Sequence, residues 1–170
     1  MSLEPLVPNR LDDEDSALII LDQTLLPNEV KYLALHTNEE ICRAIKTLQV
    51  RGAPAIGVAA AYAMVLAARE AFGRTNFYSA MAQAKAELAA SRPTAVNLFW
   101  ALDRMERCCS DMGRDVVRLE QEAIAIHRED VAMNESMAVL AQNLFRKMPV
   151  FSPTAMPAHW PPAATEPHSV

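Results

Sequence analysis

The segment Arg51-Gly52-Ala53-Pro54-Ala55-Ile56-Gly57 joins an anion-binding side chain to the start of a helix. A guanidinium offers a planar fork of donors that meets a phosphate or carboxylate through two bonds at once. Gly52 has no Cβ, so a ligand can approach the main chain closely there. Pro54 suits the first position of a helix, where its missing N–H is not needed. The N–H groups and positive dipole end of that helix then face the same anion. A second segment repeats the pattern: Arg92 directly precedes Pro93, and helical spacing follows. Two arginines, each ahead of a proline-started helix, make a clamp for a phosphorylated small molecule. The plainer alternative is a pair of surface helix starts with solvated arginines.

The elements that must position these arginines can be read along the chain. Ala17 to Leu21 is a short apolar run ending at Asp22, and it reads as a strand. Leu25-Leu26-Pro27-Asn28 is a turn, and Val30, Tyr32 and Ala34 mark a returning strand, so a β-hairpin is expected. Thr37 and Glu40 form a capping box ahead of Ile41, Ala44, Ile45 and Leu48 at helical spacing. Pro54 to Phe72 is the next helix, with Gly73 as its stop. Further helices are expected from Thr75 or Asn76 to Ala90, from Thr94 to Cys109, and from Val116 to Phe145. The fold class is therefore α+β, an N-terminal β-hairpin followed by a mostly α-helical domain. Residues 1–16 read as a flexible N-terminus and 17–147 as the domain. Residues 148–170 hold six prolines in 23 positions without periodicity and read as a disordered tail.

Composition narrows the classes. With 170 residues, 51% hydrophobic and 22% charged, the chain can bury a core without disulfides and is not a disordered sequence. A net charge of −5 with scattered basic residues argues against a nucleic-acid partner. The acidic, proline-containing start is unlike a secretory leader, and the longest apolar run, Val58 to Ala68, is too short to span a bilayer. A cytoplasmic location and no membrane partner are expected. Cys42, Cys108 and Cys109 lack metal-ligand spacing and read as core or surface helix thiols.

Three segments taken together carry a resemblance. Leu21-Asp22-Gln23-Thr24-Leu25-Leu26-Pro27, Arg51 to Gly57, and Ser91-Arg92-Pro93-Thr94-Ala95-Val96-Asn97-Leu98 resemble the S-methyl-5-thioribose-1-phosphate isomerase family, in order and in register over about residues 17 to 147. Ala123-Ile124-Ala125-Ile126-His127 and Asp130 resemble the family's next segment. The resemblance implies an intramolecular oxidoreductase of methionine salvage that turns an aldose 1-phosphate into the ketose 1-phosphate. It implies a phosphorylated sugar as ligand, no metal or nucleotide cofactor, and usually a homodimer. Carried over by position, the substrate-binding residues are Arg51, Gly52, Ala53 and Arg92. The same superfamily holds ribose-1,5-bisphosphate isomerases and the regulatory subunits of translation initiation factor 2B, so those readings stay open.

The family's catalytic cysteine, in a Thr-His-Cys-Asn-Ala-Gly segment, and its later aspartate belong to a C-terminal Rossmann-like domain. Neither motif occurs in this sequence, so no residue here is assigned a catalytic role. Inserting one G after the Lys147 codon, with suitable synonymous codons, lets the following frame read through Thr-His-Cys-Asn-Ala-Gly. The expectation is a frameshifted, truncated isomerase with an out-of-frame tail, without turnover, and with apolar surface exposed on the Thr94–Cys109 or the Val116–Phe145 helix.

The remaining candidates have structural readings. His127 is expected at the core edge, His36 beside a helix cap, and Asp22, Gln23 and Thr24 in support of the hairpin. Met64, Met81, Met105, Met133 and Met137 read as core filling. Asp103, Arg104 and Arg107 read as a solvated helix face.

Overall fold

A computed structural model of the chain describes residues 9–12 and 16–147. Three antiparallel strands, β1 (Asn9–Asp12), β2 (Ala17–Leu21) and β3 (Tyr32–Leu35), form one sheet with β2 in the centre. Five helices follow: α1 (Asn38–Lys46), α2 (Ala53–Ala71), α3 (Phe77–Ser91), α4 (Val96–Met112) and α5 (Val116–Lys147). The expected α+β class is therefore observed. The sheet has one strand more than the expected hairpin, because residues 9–12, read from sequence as part of a flexible terminus, pair along β2 from Asn9 opposite Ile20 to Asp12 opposite Ala17. No alternation in that short polar segment announces a strand; the unpaired edge of β2 supplies it with partners.

Pairing of β2 with β3 sets Leu18 opposite Leu35 and Leu21 opposite Tyr32. Strand β2 is apolar throughout and buried except for the half-buried Ile19, as a central strand must be. Strand β3 alternates, with Tyr32 and Ala34 outward and Leu35 buried. Its outward residues are the ones whose spacing announced the strand.

The Thr37 capping box forms as its sequence predicts: Glu40 N–H donates to Thr37 Oγ1 at 3.2 Å, and Thr37 N–H to Glu40 Oε2 at 3.1 Å. The N–H of His36 adds a bond to the same carboxylate oxygen at 2.8 Å, and this bond above all holds the Glu40 carboxyl below its usual range. Helix α2 is the hub of the core. It is long and apolar enough to cross a bilayer, yet 67% of its apolar window is buried among the other elements, as in the core helix of a globular domain. Phe77, Leu88, Leu98, Leu102, Met105 and Leu119 are wholly buried with it.

The chain divides into two compact units at Val131. In the first, ion pairs bind helix to helix. Lys85 of α3 donates to Asp103 and Glu106 of α4 at 2.7 and 2.6 Å, and Arg69 of α2 pairs with Glu120 of α5 at 2.9 Å. Burial works against the Lys85 ammonium, but its two carboxylates outweigh this and raise its pKa. Arg104, expected on a solvated face, is instead mostly covered; its fork grips Glu129 through both Nη atoms and its Nε reaches Glu122. The long alkyl stem and planar head of arginine allow this, and the Trp100 ring lies 5.4 Å from the guanidinium carbon. In the second unit, beginning at Ala132, Met133, Met137, Val139 and Leu140 are exposed. Core filling therefore holds for Met64, Met81 and Met105, which are buried, and fails for Met133 and Met137. The expected tail, residues 148–170, lies outside the described residues.

Candidate functional site

The first arginine segment is built from α1 onward. Helix α1 ends at Thr47, and Leu48 follows in the left-handed region at φ +64. Leu48 N–H donates to Ile45 O, and Gln49 N–H to Ala44 O at 2.9 Å. Those two bonds make a Schellman ending, with a leucine where glycine is usual. The reversal carries Gln49, Val50 and Arg51 back beside the loop after β2. There Gln23 N–H donates to Gln49 O at 3.0 Å, and Arg51 Nη2 donates to Gln23 O at 2.6 Å.

Asp22 lies beneath this pairing and is only 5% exposed. Its Oδ1 accepts from Thr24 Oγ1 at 2.6 Å and from Thr24 N–H at 3.0 Å, while Oδ2 accepts from Gln49 Nε2 at 2.9 Å. The Thr24 hydroxyl is the largest of the effects that hold the Asp22 carboxyl below its usual range, against its burial. The supporting part expected of Asp22, Gln23 and Thr24 thus takes a definite form.

Gly52 is the N-cap of α2, at φ +92 and ψ 130. A Cβ built there meets nothing within 4 Å, so the position demands glycine for its backbone angles and leaves open space above it. Ala53 and Pro54 open the helix, no side chain caps it, and Arg51 to Pro54 are all exposed.

Arg92 departs from its expected setting. It is half-buried at the C-cap of α3, not at the start of a proline-led helix. Pro93 disfavours helical angles for the residue before it, and Arg92 is extended at φ −151 and ψ 83. A turn follows, closed by Ala95 N–H donating to Arg92 O at 3.1 Å, and α4 begins only at Val96. Its N-cap, Ala95, has no side chain that can cap, so α4 shares with α2 a start without a side-chain partner.

The two starts meet. A Cβ built on Gly57, one turn inside α2, would lie 2.9 Å from the main-chain oxygen of Asn97 in the first turn of α4. Their positive dipole ends therefore share one corner of the fold, with Arg51 ahead of one helix and Arg92 ahead of the other. Such a corner favours a phosphate, which helix N–H groups and guanidinium forks both recognise.

Burial sets the state of the other candidate groups, His127 and the three thiols. His127 Nδ1 lies 2.9 Å from the Tyr62 hydroxyl, with the rings edge to face, and burial pushes its pKa down. Burial raises the pKa of the Cys42, Cys108 and Cys109 thiols, which keeps them protonated. Sequence reading missed the Asp22–Gln49 link and the Leu48 reversal. The Asp-x-Thr spacing of Asp22 and Thr24 signals a local turn, but its partner 27 residues on has no local signal.

The initiation factor 2 subunit family, IF-2B, matches residues 49–150. A methylthioribose-1-phosphate isomerase of Symbiobacterium thermophilum is 49% identical over 82% of the chain and 41% of its own length. A 5-deoxyribose 1-phosphate isomerase of Bacillus thuringiensis is 46% identical over 84% of the chain and 42% of its own length. The chain thus spans about two fifths of the length of these curated relatives. The crystal structure of 5-methylthioribose 1-phosphate isomerase from Pyrococcus horikoshii matches with a TM-score of 0.68 and 35% identity, over 73% of this chain and 36% of that one. The delta subunit of translation initiation factor eIF-2B from A. fulgidus matches with a TM-score of 0.67 and 36% identity, over 75% of this chain and 38% of that one. With the sheet, the helices and the paired helix starts in place, the match over residues 49–150 shows that the chain belongs to the initiation factor 2 subunit family.

Proposed function

We propose that this chain is the phosphate-anchoring portion of an aldose–ketose isomerase acting on S-methyl-5-thioribose 1-phosphate in methionine salvage, with S-methyl-5-thioribulose 1-phosphate as product. The observation that carries this is the meeting of the α2 and α4 starts at Gly57 and Asn97, with an arginine ahead of each helix. Moving hydrogen between adjacent carbons needs the sugar held still against an acid–base group. Binding energy gathered at the phosphate, remote from those carbons, is well suited to that task. Arg51, Gly52, Ala53 and Arg92 supply the anchor. The three thiols are protonated and His127 is engaged with Tyr62, so the described residues offer binding without an evident acid–base pair. By this proposal the described residues bind the ligand and do not themselves turn it over.

Calorimetric titration of S-methyl-5-thioribose 1-phosphate into the chain, and into Arg51→Ala and Arg92→Ala, tests this reading. Each variant should weaken binding about tenfold or more, the scale of one lost charge-assisted bond. Binding indifferent to both substitutions sinks it, and ketose appearing in an NMR assay refutes the lack of turnover. Running 5-deoxyribose 1-phosphate and ribose 1,5-bisphosphate in parallel separates the substrate classes. A cytoplasmic location, pairing of two chains and an out-of-frame origin for residues 148–170 belong to the same proposal. Cell fractionation, sedimentation and resequencing of the coding DNA address them in turn.

The near-equal likeness to the A. fulgidus subunit favours a second reading, a non-catalytic helical interaction module. Partner or self-association with no sugar-phosphate affinity would support that module instead.

A further inference from the structure

We propose that Asp22 is the positioning residue of the Arg51 anchor, acting through the Gln49 amide and the Gln23 carbonyl. The inference rests on the phosphate reading of Arg51 given above. An exposed arginine at the head of a helix would ordinarily sample many rotamers, and ordering it costs entropy at the moment of binding. Here one of its donors is already engaged with Gln23 O at 2.6 Å. That carbonyl cannot drift, because the N–H of the same residue is bonded to Gln49 O. Gln49 and the Gln23 loop are in turn held by the two oxygens of one buried carboxylate. Oδ2 takes the Gln49 amide at 2.9 Å, and Oδ1 takes the Thr24 hydroxyl and N–H at 2.6 and 3.0 Å. Asp22 N–H donates to Lys31 O at 2.8 Å, which fixes the carboxylate to the base of the loop between β2 and β3.

Asp22 thus links the Leu-Asp-Gln-Thr segment to the Arg-Gly-Ala segment without reaching the anion itself. One hydrogen of Nη2 is spent on Gln23, and the guanidinium keeps further N–H donors for a phosphate. The main chain between Gln49 and Gly52 is held by the same bonds, so the N-cap of α2 is placed along with the arginine.

The test follows Arg51 directly in the full 170-residue chain, by ¹⁵N relaxation of its Nε–H signal, assigned by its loss in Arg51→Lys. Inorganic phosphate is titrated in parallel. Asp22→Ala and Gln49→Leu should both mobilise the Arg51 signal and weaken phosphate binding about fivefold. In an Arg51→Ala background each should weaken it less than about twofold, the mark of coupling through that side chain. Asp22→Asn should restore most of the order, since its amide can meet a flipped Gln49 amide. If Asp22→Ala does not fold, Gln49→Leu alone decides, because it keeps the buried carboxylate and its Thr24 bonds.

An Arg51 signal equally ordered in the wild type and in Gln49→Leu overturns the inference, whatever phosphate does. An Arg51 signal loosened by Gln49→Leu, with phosphate binding unchanged in Arg51→Ala, keeps Asp22 as the residue that positions Arg51. That outcome removes instead the phosphate reading of the site.

Discussion

Gly57 of α2 and Asn97 of α4 touch without room for a side chain: a Cβ added to the glycine would stand 2.9 Å from the asparagine main-chain oxygen. The contact sets the distance between the two helix starts. Both partners are held within helices, so the strain of a larger residue has no flexible side chain to absorb it.

Gly57→Ala is therefore expected to destabilise the chain by about 1–3 kcal/mol, although alanine is the better helix former by about 1 kcal/mol. Urea denaturation checks this. A variant as stable as wild type, or more so, would mean that α2 and α4 do not pack this closely. The substitution should also weaken phosphosugar binding, since it pushes apart the two helix starts.

Leu48 sits at φ +64, the left-handed position that closes α1. Branching at Cβ makes that region harder still to occupy. Leu48→Val should cost about 1–2 kcal/mol, whereas Leu48→Gly, losing a 43% exposed side chain, should stay within about 1 kcal/mol of wild type. Thermal melts ranking valine equal to or above glycine would count against the reversal.

The pH dependence of stability should carry a His127 component. Burial lowers the pKa of His127 in the folded state, from an ordinary value of 6.5. Folding then favours the neutral ring, so its contribution is complete above about pH 6.5 and is lost as pH falls below that through the folded value. Urea midpoints measured between pH 7.5 and 5 should fall, and His127→Gln should flatten that part of the curve. An unchanged slope in the variant would assign the titration elsewhere.

Arg104 holds Glu129 with two bonds and Glu122 with a third, which raises the guanidinium pKa and lowers that of Glu129, chiefly through their mutual hydrogen bonds. Glu129 is 54% exposed, so solvent screens much of the attraction. Arg104→Lys, which keeps the charge and loses the fork, should cost about 1 kcal/mol, more at low salt than in 1 M NaCl. A loss that is independent of salt would point to packing on Trp100 instead.

Much of this protein was decided locally. The capping box of Thr37 and Glu40, the apolar β2 run and the helical spacing of α2 to α5 are short-range patterns. Each follows from bonds and periods that a few neighbouring residues set by themselves. The Arg-Gly-Ala-Pro start of α2 belongs with them, since the need for glycine at Gly52 is a matter of its own backbone angles.

Tertiary structure decided what neighbours in sequence cannot. Strand β1 exists because β2 has an edge to pair, and Arg104 is covered because α5 brings Glu122 and Glu129 to it. Arg92 closes α3 rather than opening α4, because Pro93, Thr94 and Ala95 intervene before helical bonding resumes at Val96. The meeting of Gly57 with Asn97, and of Asp22 with Gln49, joins segments 40 and 27 residues apart. Packing of whole helices and loops brings those atoms within reach, and no local period in the sequence encodes such a distance.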